Sequence, residues 1–278
     1  MSNGEKYVET NGARLCVETF GNPRSPAVLL IHGASASMLW WEADLCEQIA
    51  SCGRYVIRYD NRDTGKSSSY PVGRPPYKLT DLATDAVGIL DALQIEQAHI
   101  VGCSMAGAIT AVLGLDHRKR VASLTFLSTT CGGSDLPGMS QEFLNYTNVT
   151  PDFSNPTAVV EHIVEFARIC SGGSPHFNEG ETRLLVQQDV ARTQDIAAAL
   201  TNHFLIEFDG PRSGTLSDLD VPTLVVHGEL DPVFPLPHGE ALRNTIPGAT
   251  LLVLPQTGHE LPRPVWPEFV EALIRHTR

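Results

Sequence analysis

Positive charge is scarce in this 278-residue sequence: 20 lysines and arginines stand against 32 aspartates and glutamates, a formal net charge of −12. The basic residues do not gather into runs, so attraction to phosphate backbones or anionic lipid is disfavoured and nucleic acid is not expected as a partner. Long hydrophobic runs are missing too. No segment approaches the roughly eighteen apolar residues that a membrane span needs, and the opening MSNGEKYVETNGARL has no basic region followed by an apolar stretch. The chain therefore reads as cytoplasmic, with no membrane partner.

Cysteine is sparse and unpatterned. Cys16, Cys46, Cys52, Cys103, Cys131 and Cys170 form no C-x-x-C pair, and several lie in apolar segments, so buried free thiols are the expectation. No His/Cys cluster has zinc spacing, and neither G-x-G-x-x-G nor G-x-x-x-x-G-K-[ST] occurs at the Gly-rich turn near residue 104, so no metal and no cofactor are expected. The sequons at Asn145 and Asn148 matter only in a secreted protein, which nothing here signals.

What is present is an ordinary globular composition, 42% hydrophobic and 19% charged, ample for a large core. Residues 6–20 alternate as a hairpin turning at Asn11-Gly12, and the apolar run AVLLI at 27–31 suits a buried strand. Helix 39–50, strand 55–59, helix 79–93, strand 98–101, helix 105–115 and strand 121–127 follow; strands 223–226 and 250–254 and a helix over 265–275 come later. Such alternation predicts an α/β fold, a mostly parallel twisted sheet with helices on both faces, whose ligands sit at the carboxyl ends of the strands. Residues 134–215 break the rhythm with helical patterns at 157–169, 181–191 and 196–208 and no strand. The domain reading is a core of 1–133 and 216–278 with a helical cap insertion at 134–215.

The sharpest local signal is Gly102-Cys103-Ser104-Met105-Ala106-Gly107, placed after a strand and before a helix. A serine on such a strained turn needs small residues two before and two after it, here Gly102 and Ala106. Its hydroxyl is unreactive alone and needs a base within hydrogen-bond reach, for which histidine titrates in the right range. His259, in the loop after strand 250–254, falls at the same end of the sheet. His32 and His227 precede glycines and read as packing residues; His117, His162, His176, His203, His238 and His276 fall on helices or in the insertion and read as solvated or capping. Asp231 lies one short loop past strand 223–226 and is the expected orienting acid, with Glu229 its competitor. The order Ser, Asp, His matches one of the known triad arrangements. The amides of Met105 and of Ala34, in His32-Gly33-Ala34-Ser35, are the expected oxyanion donors. The charged loop DNRDTGKS at 60–67 reads as structural, with Arg62 pairing a carboxylate.

Together VIRYDNRDTGKS, GCSMAG, PTLVVHGELDP and GHELP resemble the α/β-hydrolase superfamily over nearly the whole chain. Within it the sequence is similar to the aclacinomycin methylesterase group in YDNRDTGKS, the Ser-Met elbow, the stretch around Leu115-Asp116-His117 and HGELDPVFPLPHG. The resemblance implies hydrolysis of a carboxylic ester of a small substrate, with a helical cap, no cofactor, and triad roles for Ser104, Asp231 and His259. Two rivals stand beside it: a cofactor-free perhydrolase or C–C bond hydrolase on the same framework, and a non-hydrolytic ligand-binding protein.

Overall fold

The computed structural model describes residues 2–278. The alternating pattern at the start becomes β1 (Ser2–Thr10) and β2 (Ala13–Phe20), an antiparallel hairpin whose turn places Asn11 and Gly12 at positive φ. The apolar runs become β3 (Ala27–Ile31), β4 (Tyr55–Tyr59), β5 (Ala98–Cys103), β6 (Val121–Leu127), β7 (Thr223–Gly228) and β8 (Thr250–Leu254). They form one sheet in the order β1-β2-β4-β3-β5-β6-β7-β8, antiparallel at β1/β2 and β2/β4 and parallel from β4 onward. β3 and β4 are buried along their whole length, as continuous apolar strands must be when helices cover both faces.

The period of two sorts each strand between two cores. Leu29, Ile31 and Ile100 pack on one face with α2 (Leu79–Ala92), α3 (Ala106–Asp116) and Leu242 of α8 (Pro237–Thr245). Val28, Leu30 and Val101 pack on the other with α1 (Ala43–Ser51) and with Trp266, Phe269 and Leu273 of α9 (Trp266–His276). Each fully buried aliphatic side chain contributes roughly 1.5–3 kcal/mol. Among the described residues no helix is long and apolar enough to cross a membrane.

Between β6 and β7 the chain is helical: α4 (Gln141–Tyr146), α5 (Pro156–Cys170), α6 (Glu179–Arg192) and α7 (Ile196–Thr201). Each starts where the side chain of Ser140, Asn155, Asn178 or Asp195 accepts a hydrogen bond from a first-turn amide. The helix expected over 196–208 stops at Thr201; a 3-10 turn, Asn202–Phe204, follows. Asn202 is the reason, because its buried amide turns inward to Asp63 Oδ2 at 3.0 Å and to the carbonyl of Tyr70. The short helices α4 and α8 were not marked by the sequence pattern.

Polar contacts bind this segment to the loops of the sheet. Arg192 at the end of α6 meets Asp60 at 2.7 Å, and the Trp40 indole donates to Asp189 at 2.9 Å. Loop 60–67 is structural, as its composition predicts: Asp60 also accepts the amides of Met38 and Lys66, and Arg62 grips Asp85 of α2 with two bonds of 2.6 and 2.8 Å.

Candidate active site

Ser104 sits between β5 and α3 with φ +54°, a left-handed conformation that costs a non-glycine residue about 1–3 kcal/mol and persists only where its surroundings enforce it. They do. Its amide donates to the Leu127 carbonyl at 2.9 Å, and its carbonyl accepts the Thr129 hydroxyl at 2.7 Å. Gly102 is obligatory because a Cβ there would overlap Thr110 Oγ1 and the Ala106 carbonyl. The alanine at 106, where the usual motif has glycine, is fully buried and accommodated.

The loop after β7 carries Asp231 and the loop after β8 carries His259, and both reach Ser104. His259 Nε2 lies 2.9 Å from Ser104 Oγ, and His259 Nδ1 lies 2.8 Å from Asp231 Oδ2. A carboxylate only accepts, so Nδ1 carries the proton and Nε2 is left to accept the serine hydroxyl. The other carboxylate oxygen, Asp231 Oδ1, takes the amides of Val233 and Phe234, each at 2.8 Å. Burial works against a charge on Asp231, but His259, His227 and the Phe234 amide outweigh it and hold the carboxyl below its ordinary range. Glu229, the competing acid, points elsewhere and accepts the Gln256 amide at 2.9 Å.

The loop after β3 completes the arrangement. A Cβ on Gly33 would stand 2.8 Å from Ser104 Cβ, so only glycine lets this loop lie against the serine. Among the described residues no hydrogen bond within the protein engages the amides of Ala34 or Met105. His32 packs against Trp41 with ring centres 5.4 Å apart, and burial, with His259 nearby, pushes its pKa down to about 3. Phe234 stands edge-on to His259 at 5.6 Å and joins Phe143, Phe166, Tyr146 and Val233 in an apolar cluster reaching up to α4 and α5.

Three histidines depart from the solvated or capping role that their sequence positions suggest. His203 is 1% exposed; its Nδ1 accepts the Ser35 amide at 3.0 Å, so its Nε2 must donate to the Arg62 carbonyl, at 2.7 Å. It thereby fixes the residue after Ala34. His238, also buried, spans Thr130 Oγ1 at 2.7 Å and the Pro137 carbonyl at 2.8 Å, and His276 Nε2 donates to the Leu124 carbonyl at 2.9 Å. Neighbours more than a hundred residues away define these roles, and no local pattern encodes them. Phe204 and Phe208 are 62% and 58% exposed.

A model of the α/β hydrolase fold family matches residues 26–159, and one described as TAP-like protein matches residues 208–264. Rhodomycin D methylesterase DauP of Streptomyces sp. (strain C5) is 31% identical to this chain over 98% of both proteins. The chain belongs to the α/β hydrolase fold family. A second relative of this hydrolase, rhodomycin D methylesterase DnrP of Streptomyces peucetius, is 30% identical over 98% of both, so the methylesterase resemblance read from the motifs spans the chain. Among solved structures, a meta-cleavage product hydrolase of Pseudomonas fluorescens IP01 superposes with a TM-score of 0.77 at 21% identity, covering 98% of this chain and 96% of that one. An esterase of Exiguobacterium antarcticum gives 0.77 at 20% identity over 99% of both. At such identities these two speak for the fold alone.

Proposed function

We propose that this hydrolase cleaves a carboxylic ester of a small, largely apolar substrate by nucleophilic catalysis at Ser104. The observation that carries the reading is the unbroken chain Ser104 Oγ, His259, Asp231, with links of 2.9 and 2.8 Å, on a serine held at positive φ. His259 Nε2 takes the hydroxyl proton as Oγ bonds to the acyl carbon, and the Met105 and Ala34 amides receive the oxyanion. The C–O bond to the alcohol then breaks, His259 returns the proton to the leaving oxygen, and an acyl-serine remains. Water, deprotonated by His259, attacks that ester; the bond from the acyl carbon to Ser104 Oγ breaks, His259 returns the proton to Oγ, and the acid leaves. Asp231 keeps the proton on Nδ1 and stabilises the imidazolium that forms transiently. Residues 134–215 act as a cap, with the aromatic cluster beside Phe234 giving the pocket its apolar wall. The full-length similarity to two methylesterases favours an ester over other acyl compounds.

The test is labelling by a fluorophosphonate probe together with turnover of short-chain, aryl and methyl esters, for the native protein and Ser104→Ala. The expected result is labelling and turnover by the native protein, with kcat lowered on the order of 10⁴-fold or more in the variant. Cleavage of a vinylogous diketone without ester turnover would replace the esterase reading by a C–C hydrolase. Neither labelling nor turnover would leave a ligand-binding protein.

A further inference from the structure

The last turn of α5 and the residues after it, 170–174, are wedged between the two loops that bring Asp231 and His259 together. On the histidine side, the His259 amide donates to the Cys170 carbonyl at 2.8 Å, and the Ser174 hydroxyl donates to the Gln256 carbonyl at 2.6 Å. Gly258 passes so close beneath this turn that a Cβ would overlap the carbonyls of Cys170 and Ser171. On the acid side, a Cβ on Gly172 would overlap the Leu230 carbonyl and approach Pro232 Cδ to 3.3 Å. The two loops also touch each other directly, through the Leu230 amide and the Thr257 carbonyl at 2.8 Å.

Close packing of this kind transmits displacement, since backbone atoms in van der Waals contact have nowhere to yield. We infer that Gly172 and Ser174, which touch the two loops while Gly173 between them faces open space, act as a spacer that sets the separation of the Asp231 and His259 loops and are positioning residues for the triad. The inference rests on the roles assigned to Ser104, His259 and Asp231 above. It gives the helical segment a second task besides the proposed cap: the C-terminal end of α5 belongs to the scaffold that holds the Asp231 and His259 loops.

Two neighbouring glycines supply a matched test. Gly172 and Gly173 both adopt positive φ, +62° and +78°, so alanine strains the backbone similarly at each, but a Cβ on Gly173 meets nothing within 4 Å. Gly172→Ala should lower kcat by on the order of tenfold to a hundredfold with KM changed less than about twofold, the scale expected of a displacement near 1 Å. Gly173→Ala, which carries the backbone strain without the overlap, should lose less thermal stability than Gly172→Ala and keep kcat within about twofold. If Gly172→Ala does not fold, Ser174→Ala takes its place, with loss of kcat expected there and recovery in Ser174→Thr, which keeps the hydroxyl. Equal kcat in Gly172→Ala and Gly173→Ala, or an unaffected kcat in Ser174→Ala, overturns the spacer. Failure of the native protein to label with fluorophosphonate would overturn instead the triad assignment on which it rests.

Discussion

Around Ser104 and the Gly33 loop close steric contact is added to hydrogen bonds, whereas α6 and the turn after α7 are tied down by charge and hydrogen bonds. At the strand ends, two glycines admit backbone where no other residue fits, and the serine is fixed by atoms it cannot move past. Above them, the helical segment relies on Arg192 against Asp60, Trp40 against Asp189 and Asn202 against Asp63, polar pairs across an otherwise divided apolar packing. Steric constraints fix position to tenths of an ångström but tolerate no change. Polar pairs specify partners while allowing the residues around them to vary. On the proposed reading chemistry belongs to the sheet and access to the segment, and residues 170–174 are where the two meet.

The largest effect should come from the sheet side. Asp231→Asn preserves shape but removes the charge that, on the proposed mechanism, stabilises the imidazolium, and kcat should fall by about 10⁴-fold with melting little changed. Equal losses of kcat and thermal stability would show that Asp231 serves the fold first. The segment offers the converse. Arg192→Met leaves Asp60 buried and short of a partner, the arginine side chain being 10% exposed and the aspartate 0%. The expected cost is about 3–5 kcal/mol in denaturant unfolding, with limited proteolysis first within residues 134–215 and fluorophosphonate labelling retained. Loss of labelling in a protein still folded would erase the distinction between the two regions.

The smallest effect sharpens the comparison at the boundary. Glu260 follows His259, has one buried carboxylate oxygen without a partner, and is pushed up to about 7 by burial, against a weaker lowering by Ser174. Between its ordinary value and about 7 the folded protein holds a proton that the unfolded chain has lost, so stability falls as pH rises through that window. Glu260→Gln should therefore raise the melting temperature more at pH 8 than at pH 5. A shift that is the same at both pH values would mean that Glu260 ionises freely.

Much of this was legible in the sequence because it is encoded locally. Strands β3, β4, β6 and β8 fall where their apolar runs predicted, and the small residues flanking Ser104 announce the turn. Arg62 was expected to pair with a carboxylate, and does, with Asp85. What was not legible depends on distant partners. His203 and His238 look like surface histidines until the loops they join are in place, and the helix expected to 208 ends early because Asn202 is drawn into the interior. The proposed wedge at 170–174 leaves no trace beyond Gly172 and Ser174, since its contacts involve backbone carbonyls that any residue supplies.

The order of the strands has a consequence in time. Ser104 and His259 are 155 residues apart, and the strand that precedes the histidine is the outermost of the sheet, joined only to β7. During synthesis the residues of the serine turn are made long before His259, and the two come into register only when the last strand docks on the edge. On the proposed reading Ser104 gains reactivity only at that point, and the appearance of probe labelling during refolding would time the closing of the sheet.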